Sequence, residues 1–275
     1  VTYDRHATIP ERQLDAIAAA YRLAGKQPPS RTTATLTAVQ DEPGVAEVTL
    51  QVARGAFDAE DPEQYLEDAL AAIQRAQAAD ALRLAVGQAA PNVRRAKMPE
   101  ILTRALADVA DGFALTVKDL TAAANKLDAR DPLNVANAVR DDTTKEMKRA
   151  DAALTELGLY AAMTLGRPMR GVHPALNNVL PVLDLPECTV EVVAASVAEE
   201  PPPLNADKCE GTYTVRRLTR DLSRDTDKTL VAVARGEYEG VRFALADGEE
   251  LRARAANAAR SDTRTVKNGA GLVMS

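Results

Sequence analysis

The chain has 275 residues, 46% hydrophobic and 27% charged, with 14 Gly and 15 Pro, a balance that excludes a disordered or collagen-like polymer because enough apolar surface exists to offset the entropy of ordering. A formal net charge of −6 and a pI near 5.2 exclude a uniformly basic protein that coats nucleic acid by charge alone. The length allows one large domain or two ordinary ones.

Aromatic residues make up only 3% and Trp is absent, so the core must rely on Ala, Leu and Val, which favours closely packed helices. Charge is unevenly spread, about +2 from Leu204 onward against about −8 before it, an asymmetry that can mark a partner face. No run reaches the ~18 apolar residues that span a bilayer, and Val1 to Pro10 lacks a basic region followed by an apolar one. The expectation is a cytoplasmic protein that enters no membrane.

In chain order, Thr8 and Glu11 have capping-box spacing, with Pro10 in the first turn and Leu14, Ile17, Ala18 and Tyr21 on one helical face. Beyond Gly25 and the breaker Gln27-Pro28-Pro29-Ser30, Thr33–Val39 alternates threonine with Ala34, Leu36 and Ala38. After Asp41-Glu42-Pro43-Gly44, Val48, Leu50 and Val52 alternate with Glu47, Thr49 and Gln51. These period-2 patterns predict an antiparallel hairpin of Thr33–Val39 and Val45–Val52. A short echo, Val52-Ala53-Arg54-Gly55-Ala56-Phe57-Asp58 and Val233-Ala234-Arg235-Gly236-Glu237-Tyr238-Glu239, shares a strand-like end, a glycine and an aromatic, but sets no repeat period.

Asp61-Pro62-Glu63-Gln64 opens a long helix to about Gly87, with a stripe of Leu66, Ala69, Leu70, Ile73 and Ala76. A second helix follows Pro99 with Leu102, Ala105, Leu106, Val109 and Phe113. Thr116 caps a third, carrying Val117, Leu120, Ala124 and Leu127. Asp131-Pro132 opens a fourth through Val135, Val139, Met147, Ala150, Leu154 and Leu157. Their stripes are expected to cover one another as a bundle.

Past the proline-rich stretch Gly166 to Pro186 the period changes. Val190, Val192 and Ala194 mark a strand, Tyr213 and Val215 another, Leu230 to Arg235 a continuous apolar run, and Val241, Phe243 and Leu245 a further alternation. Asp247-Gly248-Glu249-Glu250 caps a helix through about Arg260, and the remainder carries no packing stripe. Cys188 and Cys209, too few for a disulfide scaffold, then start successive strands about 30 Å apart, predicting two free thiols.

The fold class expected is therefore α+β: an N-terminal β-hairpin, a central helical bundle, and a C-terminal antiparallel β-rich section with a terminal helix. The corresponding regions are 1–60, 61–166, 167–260 and a flexible tail at 261–275, with 61–166 alternatively an insertion in one α+β domain. A terminal helix at Leu14 to Tyr21, an extended hairpin, then a long helix and mixed α/β resembles capsid proteins of tailed phages in element order, which implies a virion or assembly component.

Motifs for phosphate loops, dinucleotide folds, zinc helices and nucleophile elbows are absent, and no cofactor or metal is expected. His173, in Gly171-Val172-His173-Pro174, is the candidate acid or base, set against a loop histidine bonded to nearby backbone; His6 is a weaker candidate. Asp221, Asp225 and Asp227 cluster without the spacing of a calcium loop. Arg216, Arg217, Arg220 and Arg224 are the candidate contacts for an anion or nucleic acid, because guanidinium groups pair bidentately with phosphate. Nearby aspartates dilute them and only Tyr213 could stack a base. Arg94, Arg95 and Lys97 read as charge at a helix end. The function expected is a non-enzymatic structural or interaction protein that self-associates as a homo-oligomer. The alternatives are an enzyme whose site lies between the helical and β regions, and a nucleic-acid-associated regulator.

Overall fold

The computed structural model describes residues 9–28, 39–165, 168–194, 203–268 and 271–274. It is mostly helical, which corrects the α+β expectation. Two compact units divide the chain: Val1–Pro28 with Pro99–Ser275, and Pro29–Met98.

In the unit Pro29–Met98, the expected second hairpin strand is helix α2, Val45–Gly55. The first, Thr33–Val39, lies outside the described residues except Val39, which is helical. Val45, Val48 and Val52 fit a helical stripe as well as Val48, Leu50 and Val52 fit a strand, so periodicity alone could not decide. End effects favour the helix. Gly44 occupies the N-cap, Glu47 complements the dipole, and the Asp80 carboxylate accepts a 3.1 Å hydrogen bond from the Val45 backbone N–H. Arg83 ties the preceding turn by donating to the carbonyls of Val39 (3.0 Å) and Glu42, and it pairs with Asp80. The Tyr65 hydroxyl donates to the Val52 carbonyl.

Helix α3 spans Pro62–Ala124. Asp61 caps it, its side chain accepting from Glu63 N at 3.1 Å and Gln64 N at 3.2 Å. Three separate helices were expected across this range, with a break before Pro99. One helix runs through both Pro91 and Pro99 instead. Each internal proline removes a backbone bond at a cost of about 3 kcal/mol, opposed by the Ala-rich sequence around them.

The other unit begins with α1, Ile9–Leu23, packed on α5, Thr144–Thr164. The portion of α3 beyond Pro99 joins them. Tyr21 donates a 2.5 Å hydrogen bond to Asp108, Phe113 meets Tyr160 edge-on at 5.4 Å, and Thr116 donates to Glu156 at 2.6 Å. Gly112 permits this approach, since a Cβ there would lie 2.9 Å from both the Ala24 Cβ and the Tyr160 hydroxyl. Asn134 caps the short helix α4, Val135–Arg140.

The region expected to be β-rich is another correction. Tyr213 and Val215 lie in α7, Glu210–Arg224, and Leu230 lies in α8, Thr226–Ala234. Thr212, Val215, Leu218 and Leu222 are the buried stripe of α7, a period-3.6 pattern of which the strand reading caught only one member. The two echo segments end α2 and α8, so both mark helix termini. Strand β1, Leu183–Asp184, pairs antiparallel with β3, Arg242–Phe243. Helix α9, Gly248–Ser261, starts at Asp247, whose carboxylate accepts from Glu249 N and Glu250 N at 2.8 Å. The segment expected to be a mobile tail supplies β4, Arg264–Asn268, and β5, Gly271–Met274. Strand β4 lies between β5, antiparallel, and β2, Glu191–Ala194, parallel, with Glu191 opposite Arg264.

Two arginines hold this unit together through backbone carbonyls. The buried Arg254 guanidinium donates from Nη1 to Leu183 and Ala244 at 2.9 Å, and from Nη2 to Glu250 at 2.6 Å. Arg235 donates to Ala124 and Leu127 at 2.8 Å and to Asp128 at 2.9 Å, satisfying carbonyls left open where α3 ends.

Candidate functional site

The four candidate arginines share helix α7 and divide by face. Arg216 points inward. It donates to the Ser261 carbonyl at 2.5 Å and pairs with Glu191, whose carboxylate also takes a 3.0 Å bond from Arg264. Burial opposes ionisation of Glu191, yet the two guanidinium groups hold its carboxyl below the usual range. This cluster joins β2, β4, α7 and the end of α9, so Arg216 is committed to structure. Arg217, Arg220 and Arg224 are exposed, and with Tyr213 they follow one outer face at steps of three or four. Arg217 lies 4.8 Å from the Tyr238 ring centre, and Asp221 sits 3.9 Å from Arg217 and 3.3 Å from Arg220. The outer face is thus partly neutralised. A shallow depression beside it includes Asp207 and Glu210, acidic groups that disfavour a phosphate.

His173 is exposed and caps the short helix α6, Pro174–Val179, its Nδ1 accepting from Ala175 N at 3.3 Å. His6 lies outside the described residues. Asp225 caps α8 by accepting from Lys228 N at 3.0 Å, while Asp221 accepts from the Tyr238 hydroxyl at 2.9 Å. Among the described residues no three His, Cys, Asp or Glu side chains converge as metal ligands. Arg95 and Lys97 are exposed within α3, not at a helix end as expected.

Both cysteines are buried and free, but the separation argument for them fails because the hairpin is absent. Cys209 precedes α7, and its Sγ lies 3.5 Å from the hydroxyl of Thr189, the neighbour of Cys188. Burial pushes the Cys188 thiol up to about 11.

The feature that sequence reasoning half saw is on α3. Leu66, Ala69, Leu70, Ile73 and Ala76 read as one stripe, but the structure separates it into two faces. Ala69, Ala76 and Ala79 are buried, whereas Leu66, Leu70 and Leu84 are 60%, 51% and 64% exposed. Leu66, Leu70, Ile73, Gln77, Ala81 and Leu84 recur at steps of three or four, forming a second apolar row on the outside of the helix. Leu50 and Phe57 of the same unit are also exposed.

Compared with known proteins, the chain matches no family model, no curated protein and no solved structure. Among the described residues no helix is long and apolar enough to cross a membrane.

Proposed function

We propose that this chain is a non-enzymatic structural or interaction protein that self-associates. The observation carrying this reading is the imbalance within Pro29–Met98. Its buried hydrophobic residues, among those described, are Val48, Ala69, Ala76, Ala79 and Met98, while Leu50, Phe57, Leu66, Leu70, Leu82, Leu84 and Val93 remain exposed. A buried methylene-sized group contributes about 0.8 kcal/mol and a fully covered leucine roughly 1.5 to 3. Covering the outer leucines therefore offers more stabilisation than the alanines beneath provide. Apolar surface of this kind marks an association site.

The likeness to tailed-phage capsid proteins depended on the hairpin and falls with it, so no virion role is included. Commitment of Arg216 to Glu191 and neutralisation of its neighbours weigh against the regulator reading, and the capping role of His173 weighs against the enzyme reading. Light scattering of the purified chain, with the 260 to 280 nm absorbance ratio, tests the proposal. An oligomer free of nucleic acid is the expected result; a monomer at tens of micromolar would overturn it.

A further inference from the structure

Charge is segregated along the exposed row of α3. At 100° per residue its beginning carries Glu63, with Glu67 beside it, and its far end carries Arg95. Between them the row Leu66, Leu70, Ile73, Gln77, Ala81 and Leu84 extends about 27 Å at 1.5 Å per residue. A parallel neighbour would set acid against acid and base against base. An antiparallel copy sets each acidic end against a basic end, and the isologous contact closes after two copies. Resting on the self-association proposed above, we infer that the occupant of this row is α3 of a second copy, antiparallel about a two-fold axis near Gln77.

Around that axis Leu70 of one copy faces Leu84 of the other, Ile73 faces Ala81, Leu66 approaches Gln88, and Gln77 meets itself. Leucine thus meets leucine at Leu70 and Leu84, while the large Ile73 and Leu66 lie beside the small Ala81 and the flexible Gln88. A polar Gln77 at the centre favours one register, because a slipped pairing would bury its amide against leucine without a partner. Such a seam needs no rearrangement of α2, whose Val48 and Val52 lie beside Ala72 and Ala76 and whose Val52 carbonyl takes the Tyr65 hydroxyl.

The test is disulfide trapping in the full chain under mild oxidation, read on a non-reducing gel, with light scattering on the same samples. The wild type is the blank, since Cys188 and Cys209 are buried. Gln77→Cys is expected to cross-link with itself. Leu66→Cys alone is expected not to, whereas an equimolar mixture of Leu66→Cys and Gln88→Cys is expected to form a dimer. Arg95→Glu should weaken the dimer about tenfold at low salt, since the two-fold axis places the change at both ends of the seam, and adding Glu63→Lys should restore it. Self-cross-linking of Leu66→Cys indicates parallel pairing and overturns the inference. An oligomer by light scattering that traps none of these pairs overturns it too, leaving self-association intact. A monomer overturns both.

Discussion

Gly112 and Gly158 offer the same substitution in opposite environments. A Cβ at Gly112 would come within 2.9 Å of the Ala24 Cβ and the Tyr160 hydroxyl and 3.0 Å of the Ala24 backbone, whereas at Gly158 nothing lies within 4 Å. Both are inside helices, so replacement by alanine gains about 1 kcal/mol of helix propensity in each case. At Gly158 that gain is uncontested. At Gly112 the methyl must push α3 away from α1 and α5, and such overpacking costs about 1 to 3 kcal/mol. Gly158→Ala should therefore stabilise by up to about 1 kcal/mol, and Gly112→Ala should gain nothing or destabilise by up to about 2. Urea unfolding followed by circular dichroism would read the difference. In thermal melts each kcal/mol is worth about 2 to 4 °C for a unit of this size. An increase in stability for Gly112→Ala as large as that for Gly158→Ala would refute the close approach of α3 to Ala24 and Tyr160.

Arg254→Met should cost about 3 to 5 kcal/mol in urea, because the carbonyls of Leu183 and Ala244 lose their donor in a buried site; Arg254→Lys should recover little, since an ammonium cannot fork between them. Cys188 and Cys209 should react with a thiol reagent only after unfolding and without prior reduction, and fast labelling of the native chain would contradict their burial. With the Cys188 thiol raised from its ordinary 9.0 to about 11, stability present below pH 9 should fall as pH rises towards 11, and Cys188→Ala should blunt that fall. Glu191 has its carboxyl lowered, so its contribution holds above its unfolded value and is lost as pH falls through the folded one; Glu191→Gln should flatten the acid limb of a stability profile. Truncation before Arg264 should lower the melting temperature by removing β4 and β5 and stripping β2 of its partner; an unchanged melt would return the segment to the status of a loose tail.

The parts of the fold legible in the sequence are those set by local chemistry. Asp61 and Asp247 announce helix starts because a carboxylate beside open backbone N–H groups is satisfied wherever the rest of the chain goes. Val45–Gly55 was misread because its valines satisfy two periods, and the deciding contact, Asp80 to Val45 N, comes from 35 residues away. The same holds for Arg264–Asn268. Its strand character depends on pairing with Glu191–Ala194, and a strand whose partner is remote leaves no mark in its own composition. Among the site residues, the basic cluster was visible as a cluster, but the inward turn of Arg216 was not. The outer row of α3 was visible as leucines; which of them face away from α2 follows only from where α2 packs.

Arg235 also orders events in time. During synthesis the carbonyls of Ala124, Leu127 and Asp128 emerge more than a hundred residues before the guanidinium that receives them. Until then water must serve these carbonyls, and the end of α3 is free to fray and re-form. The latch on that end of α3 can therefore form only once Arg235 has emerged.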